Sequence, residues 1–82
     1  MTGPSPLVDL VQLIARSLVD HPDRVSVREV QGDRFPRIEL VVAREDIGKV
    51  IGKDGRTAQS IRSVLNAAAA KLGRRAHLDI LD

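Results

Sequence analysis

The spacing of hydrophobic residues changes several times along the chain, and each spacing predicts a different element. Between positions 7 and 19 they recur every three or four residues, as in a helix: Leu7, Val8, Leu10, Val11, Leu13, Ile14, Leu18 and Val19. Ser5 is a good N-cap, and Pro6 suits the first helical position. The residue before a proline disfavours helical geometry, so His21-Pro22 predicts that the helix ends near Asp20.

Three shorter apolar runs predict strands. The first contains Val25, Val27 and Val30 with polar residues between them, and the second contains Ile38, Leu40, Val41 and Val42. Gly32-Asp33-Arg34 supplies a turn, and strands joined this closely can pair only as an antiparallel hairpin. At the end of the chain, Ala76, Leu78 and Ile80 alternate as a closing strand.

Glycines divide the segment between the hairpin and the last strand into two helices. Acidic residues favour a helix start, so Glu45-Asp46 predicts a short helix, which cannot continue beyond Gly52. A longer helix begins near Arg56, with Asp54 as its N-cap, and ends at Gly73 as a left-handed cap. The residues it is expected to bury are Ala58, Ile61, Val64, Leu65, Ala68 and Leu72.

The resulting order, α-β-β-α-α-β, predicts an α+β fold with a three-stranded mixed sheet and three helices on one face. The two-helix crossover permits parallel pairing of the second and last strands and should be right-handed. The other sheet face is expected to be open, because Arg28, Arg37 and Glu39 alternate with apolar neighbours. With 82 residues, positions 1–82 are expected to form one domain.

Composition excludes several kinds of site. The chain has no cysteine and two histidines, which excludes disulfides and thiolate metal sites and leaves too few imidazoles for a convincing metal centre. No run approaches the roughly 20 apolar residues of a membrane span, and residues 1–6 do not resemble a signal peptide. A cytoplasmic protein without metal or cofactor is therefore expected.

Positive charge is concentrated in one part of the chain. Residues 47–75 contain seven basic side chains and one acidic one, a balance of +6, whereas residues 1–46 and 76–82 each carry −2. Clustered positive charge suits a polyanion such as a nucleic acid. A basic, solvated helix face is the alternative, and charge alone does not decide between the two.

The segment Gly52-Lys53-Asp54-Gly55 is predicted to be a turn between the two helices. Without Cβ atoms at its ends, the turn lets another backbone approach, and the N-terminus of the following helix carries partial positive charge. Phosphate fits such a site. The cations expected around it are Lys49, Lys53, Arg56 and, further along, Arg62. Asp54 weakens the site, and its main expected role is the helix cap.

Two enzymatic interpretations fit poorly. The run from Gly48 to Asp54 is one residue shorter than a Walker A loop, ends in Asp where Ser or Thr must bind magnesium, and follows no strand directly. Ser17, Asp20 and His21 are near one another in sequence, but they lie at a helix end without a pocket. We expect no enzymatic activity.

The stretch VIGKDGRTAQSI resembles the helix-GxxG-helix core of a KH domain, and the element order matches the type II arrangement. The longer run GKVIGKDGRTAQSIR is similar to the bacterial single-KH RNA-binding proteins of the KhpA type. The resemblance implies a clamp for about four single-stranded nucleotides, with Gly52, Lys53, Asp54 and Gly55 holding the backbone. It implies one apolar wall from Ile47, Val50 and Ile51, and an opposite wall from the second strand around Leu40 to Val42.

The same resemblance implies an RNA chaperone or post-transcriptional regulator, with a role in cell shape and peptidoglycan homeostasis. It also implies a homodimer, or a heterodimer with a larger KH-containing protein of the KhpB (Jag) type. The wide apolar stripe of the first helix favours a dimer, with a monomer as the alternative. Phe35 is the only aromatic residue, which argues against an RRM or OB-type stacking platform. A protein-interaction module with a weak RNA site remains the second hypothesis.

Overall fold

A computed structural model describes residues 5–32 and 34–81. Its helices and strands are α1 (Pro6–Leu18), β1 (Ser26–Val30), β2 (Arg37–Val41), α2 (Ile47–Ile51), α3 (Arg56–Lys71) and β3 (His77–Leu81). Single 3₁₀ turns lie at Pro22–Arg24, Arg44–Asp46 and Lys53–Gly55. This is the predicted order of elements. Asp33, part of the predicted hairpin turn, lies outside the described residues, as do residues 1–4 and 82.

The sheet is mixed, with strand order β1-β2-β3. β1 and β2 are antiparallel, with Val27 opposite Leu40, and β2 and β3 are parallel, with Leu40 opposite Ile80. The parallel pairing confirms the predicted crossover through α2 and α3. β2 runs from the hairpin turn toward α2, and α3 runs back toward the start of β3.

Two ends of the molecule follow from this topology. The glycine turn, Gly52–Gly55, precedes α3, and we call this the turn end. The hairpin end combines residues 31, 32 and 34–37 with residues 74–77, and the two segments are joined where the His77 N–H donates to the Pro36 carbonyl at 3.2 Å. The 16 residues of α3 separate the two ends by about 24 Å at 1.5 Å per residue.

The core lies between the helices and one face of the sheet. Alternate β2 residues Ile38 and Leu40 are fully buried, whereas Arg37 and Val41 on the opposite face are exposed. One cluster joins these sheet residues to buried residues of all three helices: Leu7, Val11, Ala15, Val50, Ile61, Leu65 and Ala69. The helices therefore cover one sheet face, as predicted.

The local signals for α1 are confirmed. The Ser5 hydroxyl accepts the Val8 N–H at 3.3 Å, Pro6 is the first helical residue, and the helix ends at Leu18. Its apolar stripe is wider than its buried row, since Leu13 remains 67% exposed.

Two predictions about α3 are wrong. Its buried row is Ala58, Ile61, Leu65 and Ala69, and the predicted core residues Val64 and Leu72 are 48% and 49% exposed. Val64 lies beside this row, and Leu72 continues its spacing but is the C-cap residue, one position beyond the last helical residue, Lys71. The N-cap is Gly55, with no side-chain hydrogen bond, and Asp54 is in a left-handed conformation with φ of 57°. Gly73 ends the helix with φ of 69°, as predicted.

Within residues 5–32 and 34–81, no helix is long and apolar enough to cross a membrane. The same residues contain no group of three or more His, Cys, Asp or Glu side chains placed to hold a metal ion.

Candidate nucleic-acid interface

Gly52 ends α2 in a conformation that only glycine adopts easily. Its N–H donates to the Gly48 carbonyl at 2.9 Å, and its φ and ψ are 76° and 172°. A Cβ at this position would collide with the Thr57 side chain and lie 2.9 Å from the Thr57 backbone nitrogen. The first glycine of the turn is therefore required by close packing against α3.

The second glycine of the turn has a different role. Gly55 has a φ of 72° and donates its N–H to the Gly52 carbonyl at 3.1 Å. A Cβ there would meet nothing within 4 Å. The surface above Gly55 is open, so the backbone of a ligand can approach it closely.

No side chain caps the N-terminus of α3. The Arg56 N–H donates to the Lys53 carbonyl within the 3₁₀ turn, and Gly55 at the N-cap has no side chain to accept a hydrogen bond. Amide groups at the start of a helix lack intrahelical partners, and the helix dipole adds partial positive charge there. An anion such as phosphate can supply the missing acceptor.

Two cations flank this helix start. Lys53 and Arg56 are exposed, and neither forms an ion pair with another residue of the described ranges. Asp54 between them is also exposed and unpaired within those ranges. Arg62 lies further along α3, where it lines a small hollow against β3 with Asn66 and His77. The turn therefore brings Lys53 and Arg56 together, whereas Arg62 lies on the way to the hairpin end.

Lys49 was predicted to be a cation available to phosphate, but two carboxylates of the protein already contact it. Its Nζ lies 3.1 Å from Asp20 Oδ2 and 3.7 Å from Asp46 Oδ1. The hydrogen bond to Asp20 and the negative charge of Asp20 raise the pKa of Lys49. Its charge is already compensated within the protein.

Asp46 has a structural role that its sequence pattern did not predict, since the pattern assigned it only to a helix start. It is fully buried, and its carboxylate accepts the Asp20 N–H at 3.3 Å and the His21 N–H at 3.0 Å. The His21 ring Nδ1 lies 3.0 Å from Asp46 Oδ2. These contacts join the end of α1 to the start of α2. No sequence signal distinguished Asp46 from the neighbouring exposed Glu45.

The ionisation of this pair follows from the same contacts. Burial alone would raise the pKa of Asp46, but the hydrogen bonds from the His21 ring and from the two backbone N–H groups lower it overall. The hydrogen bond to Asp46 and the charge of that carboxylate raise the pKa of His21. The charged form of each partner therefore stabilises the other.

The predicted apolar walls are only partly accessible. Ile51 is 38% exposed, and Ile47 is half-buried. Val50, Leu40 and Val42 are at most 6% exposed and belong to the core. We therefore retain the two isoleucines as candidate contacts and leave the other three out of the contact set.

The structure does not assemble the Ser17, Asp20 and His21 side chains into a catalytic arrangement. The Ser17 hydroxyl donates to the Leu13 carbonyl at 2.7 Å, and the His21 ring is held by Asp46.

Several known proteins are similar to this chain. The family model for the KhpA/KhpB KH domain matches residues 8–80. "RNA-binding protein KhpA" of Halalkalibacterium halodurans is 56% identical over 73 residues, which cover 89% of this chain and 96% of that protein. The protein of the same name from Aquifex aeolicus is 46% identical over 78 residues, covering 95% of this chain and 99% of that protein.

Solved structures add a similarity of fold. Aquifex aeolicus Era bound to GDP·AlF4⁻ superposes with a TM-score of 0.65 at 23% identity, over 98% of this chain and 32% of that one. Era in complex with MgGDPNP and nucleotides 1506–1542 of 16S ribosomal RNA gives the same TM-score and identity, over 90% of this chain and 28% of that one. This chain thus spans about a third of the Era chains. On the match to the family model and the identity to these relatives, the chain belongs to the KhpA/KhpB KH-domain family.

Proposed function

We propose that this protein binds single-stranded RNA at the turn end. A backbone phosphate sits at the uncapped start of α3, above Gly55, between the charges of Lys53 and Arg56. Neighbouring bases rest on Ile47 and Ile51. The observation that carries the proposal is the combination of an uncapped helix N-terminus with open space above Gly55. The relatives' name, RNA-binding protein KhpA, supports the ligand class.

The expected affinity of this site alone is weak. It holds about four nucleotides. The Asp54 charge opposes phosphate by about 1 kcal/mol at an exposed position, and Lys49 is already engaged by carboxylates. A weak contact made mainly to the backbone suits an RNA chaperone or post-transcriptional regulator that must release its target.

Pairing of two such sites would raise the affinity by avidity without new contacts. Three exposed apolar residues support an interface: Leu13 on α1, Val64 on α3 and Leu72 at the C-cap of α3. We therefore include in the proposal a homodimer, or a heterodimer with a larger KH-containing protein of the KhpB type. The alternative function, a protein-interaction module with a weak RNA site, uses the same surface.

Lys53→Glu tests the RNA site, with Arg16→Glu as a matched control. Both positions are exposed, and both substitutions change the net charge by the same amount. Fluorescence anisotropy with a labelled single-stranded RNA should show at least a tenfold loss for Lys53→Glu, about 1.4 kcal/mol, and little change for the control. Equal losses in both variants would mean that only net charge matters and would refute a site at the turn.

A salt series separates RNA binding from the alternative function. Each phosphate neutralised on a single strand contributes about 0.7 to the slope of log affinity against log salt. RNA binding at the turn should therefore weaken steeply with salt, and Lys53→Glu should flatten the slope. Tighter binding to a perfect duplex than to a single strand would contradict the proposed clamp.

Light scattering tests the proposed assembly. A homodimer should give twice the monomer mass, and Val64→Gln together with Leu13→Gln should return it to the monomer. A monomeric wild type that acquires no mass from a KhpB-type partner would refute the interface on α1 and α3.

A further inference from the structure

The hairpin end contains an aromatic pair that the turn site does not use. The rings of Phe35 and His77 lie 4.7 Å apart between centroids and are inclined by 45°. Phe35 is half-buried and His77 is exposed. The hydrogen bond from the His77 N–H to the Pro36 carbonyl holds the start of β3 against the hairpin, so the pair sits on an anchored backbone.

Two hollows of about 400 Å³ each meet at this aromatic pair. One is lined by hairpin residues, including Arg34 and Arg37, and the other by residues of the α3–β3 connection, including Arg74 and Arg75. Phe35 and His77 line both hollows. The pair can therefore be reached from either side, which packing at a hairpin edge alone would not require.

Arg37, Arg74 and Arg75, three of the arginines that line these hollows, divide into two kinds. Arg37 pairs with Asp79 at 3.3 Å, and Arg74 pairs with Glu29 at 3.0 Å. Arg75 is exposed, and within residues 5–32 and 34–81 it forms no ion pair. The paired arginines are held in place as parts of the hollow walls. Arg75 can offer a full positive charge to a ligand.

An aromatic ring beside an available guanidinium is suited to a single-stranded nucleotide. A base stacks on an aromatic ring whatever its sequence, and arginine binds phosphate through several N–H groups at once. A planar base also fits a hollow of this size better than a bare anion, which would leave the aromatic wall unused. Duplex RNA hides its base faces and cannot stack in this way.

Neighbouring hollows join Arg62, in the middle of α3, to the hairpin end. Arg62 and Asn66 lie one helical turn apart on α3, and both line the small hollow against β3 that His77 also borders. Asn66 and His77 in turn line the hollow beside Arg75. These hollows cover the half of α3 nearer the hairpin end, and an RNA strand that also occupies the glycine turn would span the roughly 24 Å length of the helix.

We propose that the hairpin end is a second contact site for single-stranded RNA, in which a base stacks on Phe35 and a phosphate binds Arg75. The ligand class rests on the proposed function, since the same strand would occupy both ends. The site extends the RNA footprint beyond the four nucleotides of the turn. It also gives a role to Phe35, since the chain contains no other Phe, Tyr or Trp.

Phe35→Trp provides a direct measurement. The chain contains no tryptophan or tyrosine, so the new indole is the only strong fluorophore. Stacking of a base should quench its emission when a single-stranded RNA of about 16 nucleotides is added. Because tryptophan also stacks, this variant should bind that RNA at least as well as the wild type does.

Loss-of-contact variants measure the contribution to affinity. Phe35→Ala should weaken binding of the longer RNA about tenfold, and Arg75→Gln about fivefold. Arg16→Gln, a control for loss of one positive charge on α1, should change it less than twofold. Circular dichroism melts check that each variant is folded. For a tetranucleotide bound at the turn, Phe35→Ala should leave the affinity unchanged.

The outcomes distinguish this proposal from the proposed function. If Lys53→Glu weakens binding while Phe35→Ala and Arg75→Gln do not, and the Phe35→Trp emission is unchanged by RNA, the second site is refuted and the turn site stands. If the emission of Phe35→Trp is quenched in the Lys53→Glu background at raised RNA concentration, the hairpin end binds RNA independently of the turn. Equal quenching by poly-glutamate, or a change in molecular mass for Arg75→Gln in light scattering, would identify a protein-binding surface and overturn the proposal.

Discussion

The two ends of α2 use charged residues in opposite ways. At its start, the buried Asp46 carboxylate is surrounded by N–H groups, the His21 ring and Lys49. At its end, the glycine turn leaves Lys53 exposed and the start of α3 uncapped. Lys49 and Lys53 are four residues apart in one basic segment, yet only Lys53 lacks a partner among the described residues. A basic run thus contains both structural and available charges, and the partner of each must be known before a site is assigned.

The largest expected effect is a loss of stability on substitution of Gly52, the residue that ends α2. Gly52→Ala should lower the free energy of unfolding by about 3 kcal/mol or more, because the conformation is strained for alanine and its Cβ would collide with Thr57. Gly55→Ala, with the same sign of φ but open space around it, should cost only about 1–2 kcal/mol. Urea unfolding of both variants measures the difference. Similar losses at the two glycines would mean that the collision with Thr57 is relieved by movement of the turn.

Asp46→Ala tests the structural role of the buried carboxylate at the start of α2. The Asp20 and His21 N–H groups would lose their acceptor, and the His21 ring and Lys49 would lose a negative charge. We expect the melting temperature to fall by about 10 °C. The RNA affinity of the folded fraction should be unchanged. A melting temperature within two or three degrees of the wild type would contradict the prediction and show that water replaces the carboxylate at little cost.

Lys49→Gln and Lys53→Gln compare the two lysines directly. Each removes one positive charge, but only Lys53 is placed to neutralise phosphate without first leaving a carboxylate. RNA affinity should fall about fivefold for Lys53→Gln and less than twofold for Lys49→Gln. The order of melting temperatures should be reversed, with Lys49→Gln the lower. Equal affinity losses would mean that RNA displaces Asp20 and Asp46 from Lys49.

The smallest expected effect is a pH dependence of stability. The His21 pKa is raised by Asp46 first and by the charges of Glu45 and Asp20, so its stabilisation is complete below about pH 6.5 and is lost as the pH rises through the folded-state pKa. The Asp46 pKa is lowered overall, so its contribution is present above about pH 4 and is lost as the pH falls through its folded-state value. Lys49 beside Asp46 stays charged throughout this range. Stability should therefore be greatest between about pH 4 and 6.5 and decline toward pH 8.

Thermal melts of His21→Gln provide the control for this profile. The decline in stability between about pH 6.5 and 8 should disappear in His21→Gln. It should persist in His77→Gln, because His77 lies at the hairpin end and does not contact Asp46. A decline that persists in His21→Gln would assign it to another group.

Signals that act within a few residues predicted much of the fold. Ser5 and Pro6 begin α1, His21-Pro22 limits it, Gly52 ends α2 and Gly73 ends α3. Each of these effects depends on backbone geometry at one position. The parallel pairing of β2 with β3 was also predictable, because a two-helix crossover permits it.

Predictions that depended on which face a residue presents were less successful. Val64 and Leu72 were expected in the core and are half-exposed, whereas Ala69 is fully buried. A helical period indicates that an apolar row exists, but the angle at which α3 meets α1 and the sheet selects the row that is buried.

By itself, the sequence determined the order of elements, the mixed sheet, the glycine turn and the family to which the chain belongs, because these depend on local backbone preferences and on a contiguous motif. Only the tertiary structure decided which charges are available. Asp20 reaches Lys49 because the end of α1 packs against the start of α2, where the Asp20 N–H donates to Asp46, 26 positions away. Phe35 and His77 likewise meet only when the closing strand pairs beside the hairpin. Such contacts are set by the packing of whole elements, which no local pattern encodes.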